Sequence, residues 1–242
     1  MTRLDLRMVV TDVDGTLTTK DRRLDPRAID AVRRVEESGV PVTLATGNVL
    51  PVALALHRSL RLSGPIVAEN GGLLYDPLLA PDRVQRLADP RPARAAYRHL
   101  RTSGLPVRRL FTDRWRESEV ALEPNFPLDR IRKLLRGREV DVEFTGYAIH
   151  LMARGFGKLP ALQRALEARN LLVQQAAVLG DGDNDVPMLR AAGLGVSFPN
   201  GSRRARSAAK IVTRASYAGG FVEGLRRSGL LPTTGRRRHG SV

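Results

Sequence analysis

Residues 8–19 read MVVTDVDGTLTT. Met8, Val9 and Val10 form an apolar run too short for a helix and closed by the turn former Gly15, which predicts the end of a buried strand. Asp12 and Asp14 then emerge at the strand tip. Successive side chains of an extended chain point to opposite sides, so Val13 faces away while both carboxylates face one crevice. Two like charges held that close raise each other's pKa unless a cation joins them. The stretch therefore calls for a metal ion or a shared proton.

Reading outward, buried strands alternate with helices. Asp25-Pro26 offers a helix cap and a first-turn proline, Ile29, Val32 and Val35 mark one apolar face, and Gly39 closes the helix. Residues 40–48, VPVTLATGN, give a second apolar strand ending in Thr46, Gly47 and Asn48. Residues 65–68 form a third, running into ENGG (69–72) and LLY (73–75), and residues 176–179 a fourth, ending in GDGDND (180–185). Continuous apolar strands between helices predict an α/β fold whose parallel sheet is covered on both faces. Ligands of such sheets bind beyond the carboxyl ends of the strands. That rule brings Asp12, Asp14, Thr46, Asp181 and Asp185 to one edge. So many carboxylates repel one another unless they hold a cation, and an all-oxygen set without histidine favours magnesium over zinc.

Composition excludes several other classes. With 242 residues, 42% hydrophobic and 27% charged, the chain has the balance of a globular protein, and no apolar run approaches the length of a membrane span. The charged start, Arg3 to Arg7, runs directly into the first strand, so a cytoplasmic protein with no membrane partner is expected. The absence of cysteine removes disulfides, thiolate catalysis and cysteine-ligated zinc. A net charge of +15 raises nucleic acid as a partner, but arginine is spread along the chain and aromatic residues for base stacking are only 5%. A basic exposed face accounts for the charge more simply. Lysine, by contrast, occurs only at positions 20, 133, 158 and 210.

Two rival motifs fail on their letters. DGDND (181–185) begins like an EF-hand loop, but Val186 and Ala192 stand where glycine and glutamate are needed. GFGK (155–158) lacks the spacing of a P-loop, and Leu159 replaces its serine or threonine.

DVDGT (12–16), Thr46 of LATGN, Lys158 of GFGK and GDGDND resemble, in order, the four motifs of the haloacid dehalogenase superfamily of phosphohydrolases. More narrowly, DVDGTLT, ATGN, ENGG, RWRE (114–117) and GDGDNDVPML (180–189) are similar to the archaeal phosphoglycolate phosphatases. The resemblance spans about Val9 to Leu225. It implies a Rossmann-like core with Asp12 as nucleophile and Asp14 as general acid and base. It further implies Mg2+ held by Asp12, the Asp14 carbonyl, Asp181 and Asp185, the last directly or through water. Thr46 with the amides of Gly47 and Asn48 would grip the phosphate, Lys158 would add positive charge, and Asn184 a further contact.

Between Ala80 and Arg154 the core pattern stops. Helices near 92–103 and 128–135 and strands near 107–111, 119–122, 140–144 and 148–152 predict a small α+β insertion, the cap of the resembled family. The expected division is core 1–80, cap 81–154, core 155–231 and a basic, flexible tail 232–242 that is dispensable for catalysis. Within the cap, Arg114 or Arg116, with His150, would reach a substrate carboxylate; the alternative is a surface pair of Arg116 with Glu117 or Glu119 beside a packed Trp115. The expected function is hydrolysis of a small phosphorylated metabolite, foremost 2-phosphoglycolate. A sugar-phosphate phosphatase and a nucleic-acid-binding protein on the same fold are the alternatives, and a homodimer is left open.

Overall fold

The structure is a computed structural model that describes residues 4–231. The expectation for the tail, 232–242, lies outside the described residues. The chain first forms β1 (Met8–Thr11), α1 (Pro26–Glu37), β2 (Val42–Ala45), α2 (Leu50–Leu60), β3 (Ile66–Ala68), β4 (Leu73–Tyr75) and β5 (Val84–Arg86). It then inserts α3 (Arg91–Thr102), β6 (Val120–Leu122), α4 (Leu128–Leu134), β7 (Val140–Phe144) and β8 (Ile149–Ala153). It returns through α5 (Lys158–Glu167), β9 (Ala176–Leu179), α6 (Val186–Ala191), β10 (Leu194–Ser197), α7 (Arg203–Ala208), β11 (Ile211–Val212) and α8 (Tyr217–Arg227).

Eight strands form the main sheet in the order β11-β10-β9-β1-β2-β3-β4-β5. From β11 to β3 all neighbours are parallel. Thr11 of the central β1 is level with Leu44 on one side and Leu179 on the other. This register places Asp12, the Thr46 loop and the Asp181 loop at one edge. Val9, Leu44, Ala177 and Leu179 pack with the apolar faces of α1 and α8, whereas Met8, Val10, Ala176 and Val178 pack with those of α5 and α6. Both faces are covered, which is why these strands are apolar without alternation. Asp25 caps α1 as expected, accepting the Arg27 amide at 2.8 Å, and Pro26 opens the helix.

Several details differ from the sequence expectation. The sheet is not wholly parallel, because β3 and β4 are joined by only Glu69–Gly72, too short for a crossover, and so pair antiparallel. β5 extends this meander, so the sheet continues past the expected boundary at 80; its exposed Val84 and Arg86 give no strand signal. β10 and β11 are short, and the first contains Gly195, whose absent Cβ would meet the Leu189 carbonyl oxygen at 2.3 Å. In the insertion, the three-stranded sheet is β6-β8-β7, and the stretch near 107–111 contributes only the bridge Arg109↔Leu122. The chain there turns because buried Asp113 accepts the Ala121 amide at 2.5 Å, drawing Phe111–Trp115 into a 3-10 turn. Leu100, Leu122, Ile131, Ile149 and Leu151 make the insertion's own core. Among the described residues, no helix is long and apolar enough to cross a membrane.

Leu44 is fully buried at the sheet centre, whereas Val52 on α2 is half exposed. Leu44→Ala should therefore destabilise the protein by about 2–5 kcal/mol and Val52→Ala by less than about 0.5 kcal/mol. Chemical denaturation monitored by circular dichroism measures both.

Candidate active site

Lys158 opens α5 and is fully buried, with Nζ 2.7 Å from Asp12 Oδ1 and 2.7 Å from Asp185 Oδ1. Burial alone would lower the Lys158 pKa, but the two carboxylates more than reverse this and raise it. The sequence reading gave its ammonium an outside anion; here two of its three N–H donors are held by the protein's own carboxylates. Its position depends on ENGG. Gly71 has φ +97°, and a Cβ there would lie 2.1 Å from the Gly157 carbonyl oxygen, so only glycine lets this turn touch the start of α5.

Asp12, Asp181 and Asp185 each offer a carboxylate oxygen, all within 4.8 Å of one another. The second oxygen of Asp185 accepts the Asp181 and Gly182 amides at 3.1 and 2.9 Å, which fixes the loop that carries Asp181. Asp181 accepts the Thr16 hydroxyl at 3.2 Å and packs against Gly15, where a Cβ would fall 2.2 Å from its Oδ2. Burial, then the neighbouring carboxylates Asp185 and Asp181, push Asp12 well above the usual carboxylate range despite Lys158. Burial and Asp185 push Asp181 up to about 7. One ammonium does not balance three carboxylates, and an all-oxygen set of this kind fits a hard divalent cation.

Asp14 stands apart from this cluster. Its side chain is exposed to the crevice and accepts Asn48 Nδ2 at 2.8 Å. The Thr46 hydroxyl takes the Asn48 amide at 3.0 Å, while the Gly47 amide has no hydrogen-bond partner among the described residues. Asn184 donates to Asn70 Oδ1 at 3.0 Å. Sequence reasoning missed this role of Asn70, whose only signal was its place beside two glycines.

The insertion covers this edge. Glu69, buried at φ +49°, accepts the Ser118 hydroxyl at 2.6 Å and the Ser118 amide at 2.9 Å. Arg116 donates to the Gly47 carbonyl at 2.9 Å and is paired with Glu119. Asn70 donates to Glu119 at 3.1 Å, and His150 Nδ1 lies 2.9 Å from the same carboxylate. Burial opposes ionisation of Glu119, but His150 and Arg116 hold its pKa below the usual value. Arg116 thus pairs with Glu119, as one sequence alternative had it, yet buried rather than on the surface. Trp115 is 47% exposed and meets the Phe111 ring edge-on at 5.4 Å. Arg114, 4.0 Å above the Phe111 ring, does not border the crevice.

A cavity of about 70 Å³ remains between the two layers. Asp12, Asp14, Thr46, Asp181 and Asn184 border it from the core, and Arg116, Tyr147 and His150 from the insertion. Lys158 and Asp185 lie behind this wall. A wider groove of about 600 Å³ between α1 and α8 is bordered by none of the expected site residues.

The sequence pattern of the haloacid dehalogenase-like hydrolases matches residues 9–91 and 127–225. A phosphoglycolate phosphatase of Methanothermobacter thermautotrophicus is 39% identical over 223 residues, covering 92% of this chain and 98% of that one. One from Archaeoglobus fulgidus is 34% identical, covering 93% and 98%. Among solved structures, Thermoplasma acidophilum 0175 superposes with a TM-score of 0.83 at 28% identity, covering 93% of this chain and 99% of that one. A haloacid dehalogenase-like hydrolase from Bacteroides thetaiotaomicron, with a TM-score of 0.74 at 21% identity and coverage of 92% and 99%, shares the fold.

The raised pKa of Asp181 sets a pH dependence. Its folded value, about 7, lies above the ordinary 3.8, so the folded state binds the proton more tightly than the unfolded one. The group's contribution to stability is greatest below about pH 4 and is lost as pH rises through about 7. Without divalent cation, the melting temperature should fall from pH 5 to pH 8 more steeply in the wild-type protein than in Asp181→Asn. A divalent cation binds the ionised form, so magnesium should raise the melting temperature more at pH 8 than at pH 5.5. Equal increments at the two pH values would contradict the assignment of Asp181 to the cation site.

Proposed function

The chain belongs to the haloacid dehalogenase-like hydrolases, and from that membership we propose that it is a magnesium-dependent phosphatase converting 2-phosphoglycolate to glycolate and inorganic phosphate. The observation that carries the proposal is Asp12, ion-paired with Lys158 inside a cluster of carboxylates, on the wall of a cavity of about 70 Å³. The names of the curated relatives support the choice of substrate. The polar lining that core and insertion both contribute supports a small, charged one.

With Oδ1 of Asp12 held by Lys158, its other carboxylate oxygen attacks phosphorus. The ester P–O bond breaks, and an aspartyl-phosphate forms. The departing glycolate oxygen takes the proton of Asp14, which Asn48 orients from the side of the crevice. Asp14 then accepts a proton from the water that attacks the phosphoryl group, releasing phosphate and restoring Asp12. The free Gly47 amide and the Thr46 hydroxyl donate to phosphate oxygens, while Lys158, behind Asp12, supplies positive charge.

Asp12, Asp181 and the Asp14 carbonyl would hold Mg2+, and Asp185, whose two oxygens are taken by Lys158 and by the Asp181 and Gly182 amides, would reach the ion only through water. The ion would supply charge that offsets repulsion between the nucleophile and the phosphate. Asn184, held by Asn70, lies at the crevice as a phosphate contact that the covering insertion keeps in place. That insertion, from α3 to β8 and read as a cap, excludes water during transfer.

Asp12→Asn and Asp14→Asn should each lower kcat by roughly a thousandfold or more while melting remains cooperative. Phosphate release from a panel of small phosphomonoesters should require magnesium and should be most efficient with 2-phosphoglycolate. Full activity in excess chelator would overturn the metal role. Higher kcat/KM with a hexose phosphate would favour the sugar-phosphate alternative.

A further inference from the structure

One cation on the cavity wall has no acid beside it. Arg22 lies on the core loop that follows DVDGT, where Thr18 and Leu24 pair across the base. Its amide donates to the Thr19 carbonyl at 3.0 Å, and its φ is +65°, an uncommon setting for so long a side chain. The guanidinium lies 4.2 Å from the centre of the Tyr147 ring, which projects from the hairpin between β7 and β8. Among the described residues the Arg22 side chain makes no ion pair and no hydrogen bond, and it borders the same cavity as Asp12 and Asp181.

The other arginines singled out by the sequence differ in this respect. Arg116 is neutralised by Glu119 and tied to the Gly47 carbonyl, and Arg114 is off the cavity. Stacking on Tyr147 occupies the face of the Arg22 guanidinium and leaves its edge, with its fork of N–H donors, open to a planar anion. Tyr147 belongs to the insertion and Arg22 to the core, so the stacked pair exists only when the two layers are together. Asp12 and the Thr46 loop face the phosphate end of a substrate. A two-carbon substrate held there by its phosphate leaves its other end among the remaining lining groups, of which Arg22 is one.

We infer that Arg22, braced on Tyr147, binds the second anionic group of the substrate, a carboxylate on the carbon that bears the phosphoester oxygen, and thereby sets the preference for small carboxylated phosphomonoesters. This rests on the phosphatase reading above. It moves the source of specificity from the cap arginines to a core loop, with the cap supplying the ring beneath it.

The test compares kcat/KM for 2-phosphoglycolate and for ethyl phosphate, which lacks the carboxylate, in the wild-type protein, Arg22→Gln and Arg22→Lys. Thermal melting establishes that each variant is folded. The ratio of the two values should fall roughly 10- to 100-fold in Arg22→Gln, mainly through KM for 2-phosphoglycolate, and recover in part in Arg22→Lys. Arg23→Gln, next door and paired with Asp21, should keep the wild-type ratio. A wild-type preference that survives in Arg22→Gln, or an equal loss on both substrates, overturns the inference alone. A wild-type protein that does not prefer 2-phosphoglycolate overturns the substrate assignment and this inference together.

Discussion

Two buried carboxylates, a half-buried third and one buried ammonium meet at the carboxyl ends of two adjacent strands, and the rest of the molecule is arranged around that fact. Isolated charges of this kind are costly to remove from water, and they persist only where geometry supplies partners for most of their oxygens. Lys158 answers Asp12 and Asp185, and backbone amides answer the remaining oxygen of Asp185. The level register of β1 with β9 sets these side chains at the same height. Gly15 and Gly71 are present because side chains there would strike Asp181 and the backbone before Lys158.

The covering insertion is joined to this centre by polar contacts. A chain of hydrogen bonds runs from Asn184 through Asn70 to Glu119, and Glu119 holds Arg116 and His150. Arg116 returns to the Gly47 carbonyl, in the loop after β2. The insertion and this loop therefore share one network, and a shift of either disturbs the other. Polar joints of this kind, unlike a continuous apolar interface, can open to admit substrate and close to exclude water.

Much of this was legible in the sequence, for definite reasons. DVDGT and GDGDND each follow an apolar strand, and strand ends of a parallel sheet converge, so Asp12 and Asp181 could be placed together before any contact was seen. Lys158 stood out because lysine is rare in this chain. The antiparallel β4 and β5 and the short β10 and β11 were not legible in full, since their direction and pairing follow from loop length and close backbone packing rather than from apolar period. In RWRE the letters could not separate Arg114 from Arg116, because the 3-10 turn that aims one outward and the other inward is set by Asp113, a residue with no local motif. Arg22 was hidden among many arginines, and its partner Tyr147 is distant in sequence.

The central claim is that Asp12 is the nucleophile that receives the phosphoryl group. Acid quenching of the enzyme during turnover of 2-phosphoglycolate carrying radiolabelled phosphorus, followed by peptide mapping, addresses it directly. Label should appear on the protein, be released by hydroxylamine, map to the peptide containing Asp12, and be absent in Asp12→Asn. Label on another residue, or an unlabelled protein under conditions where turnover is limited by hydrolysis of the intermediate, would contradict it.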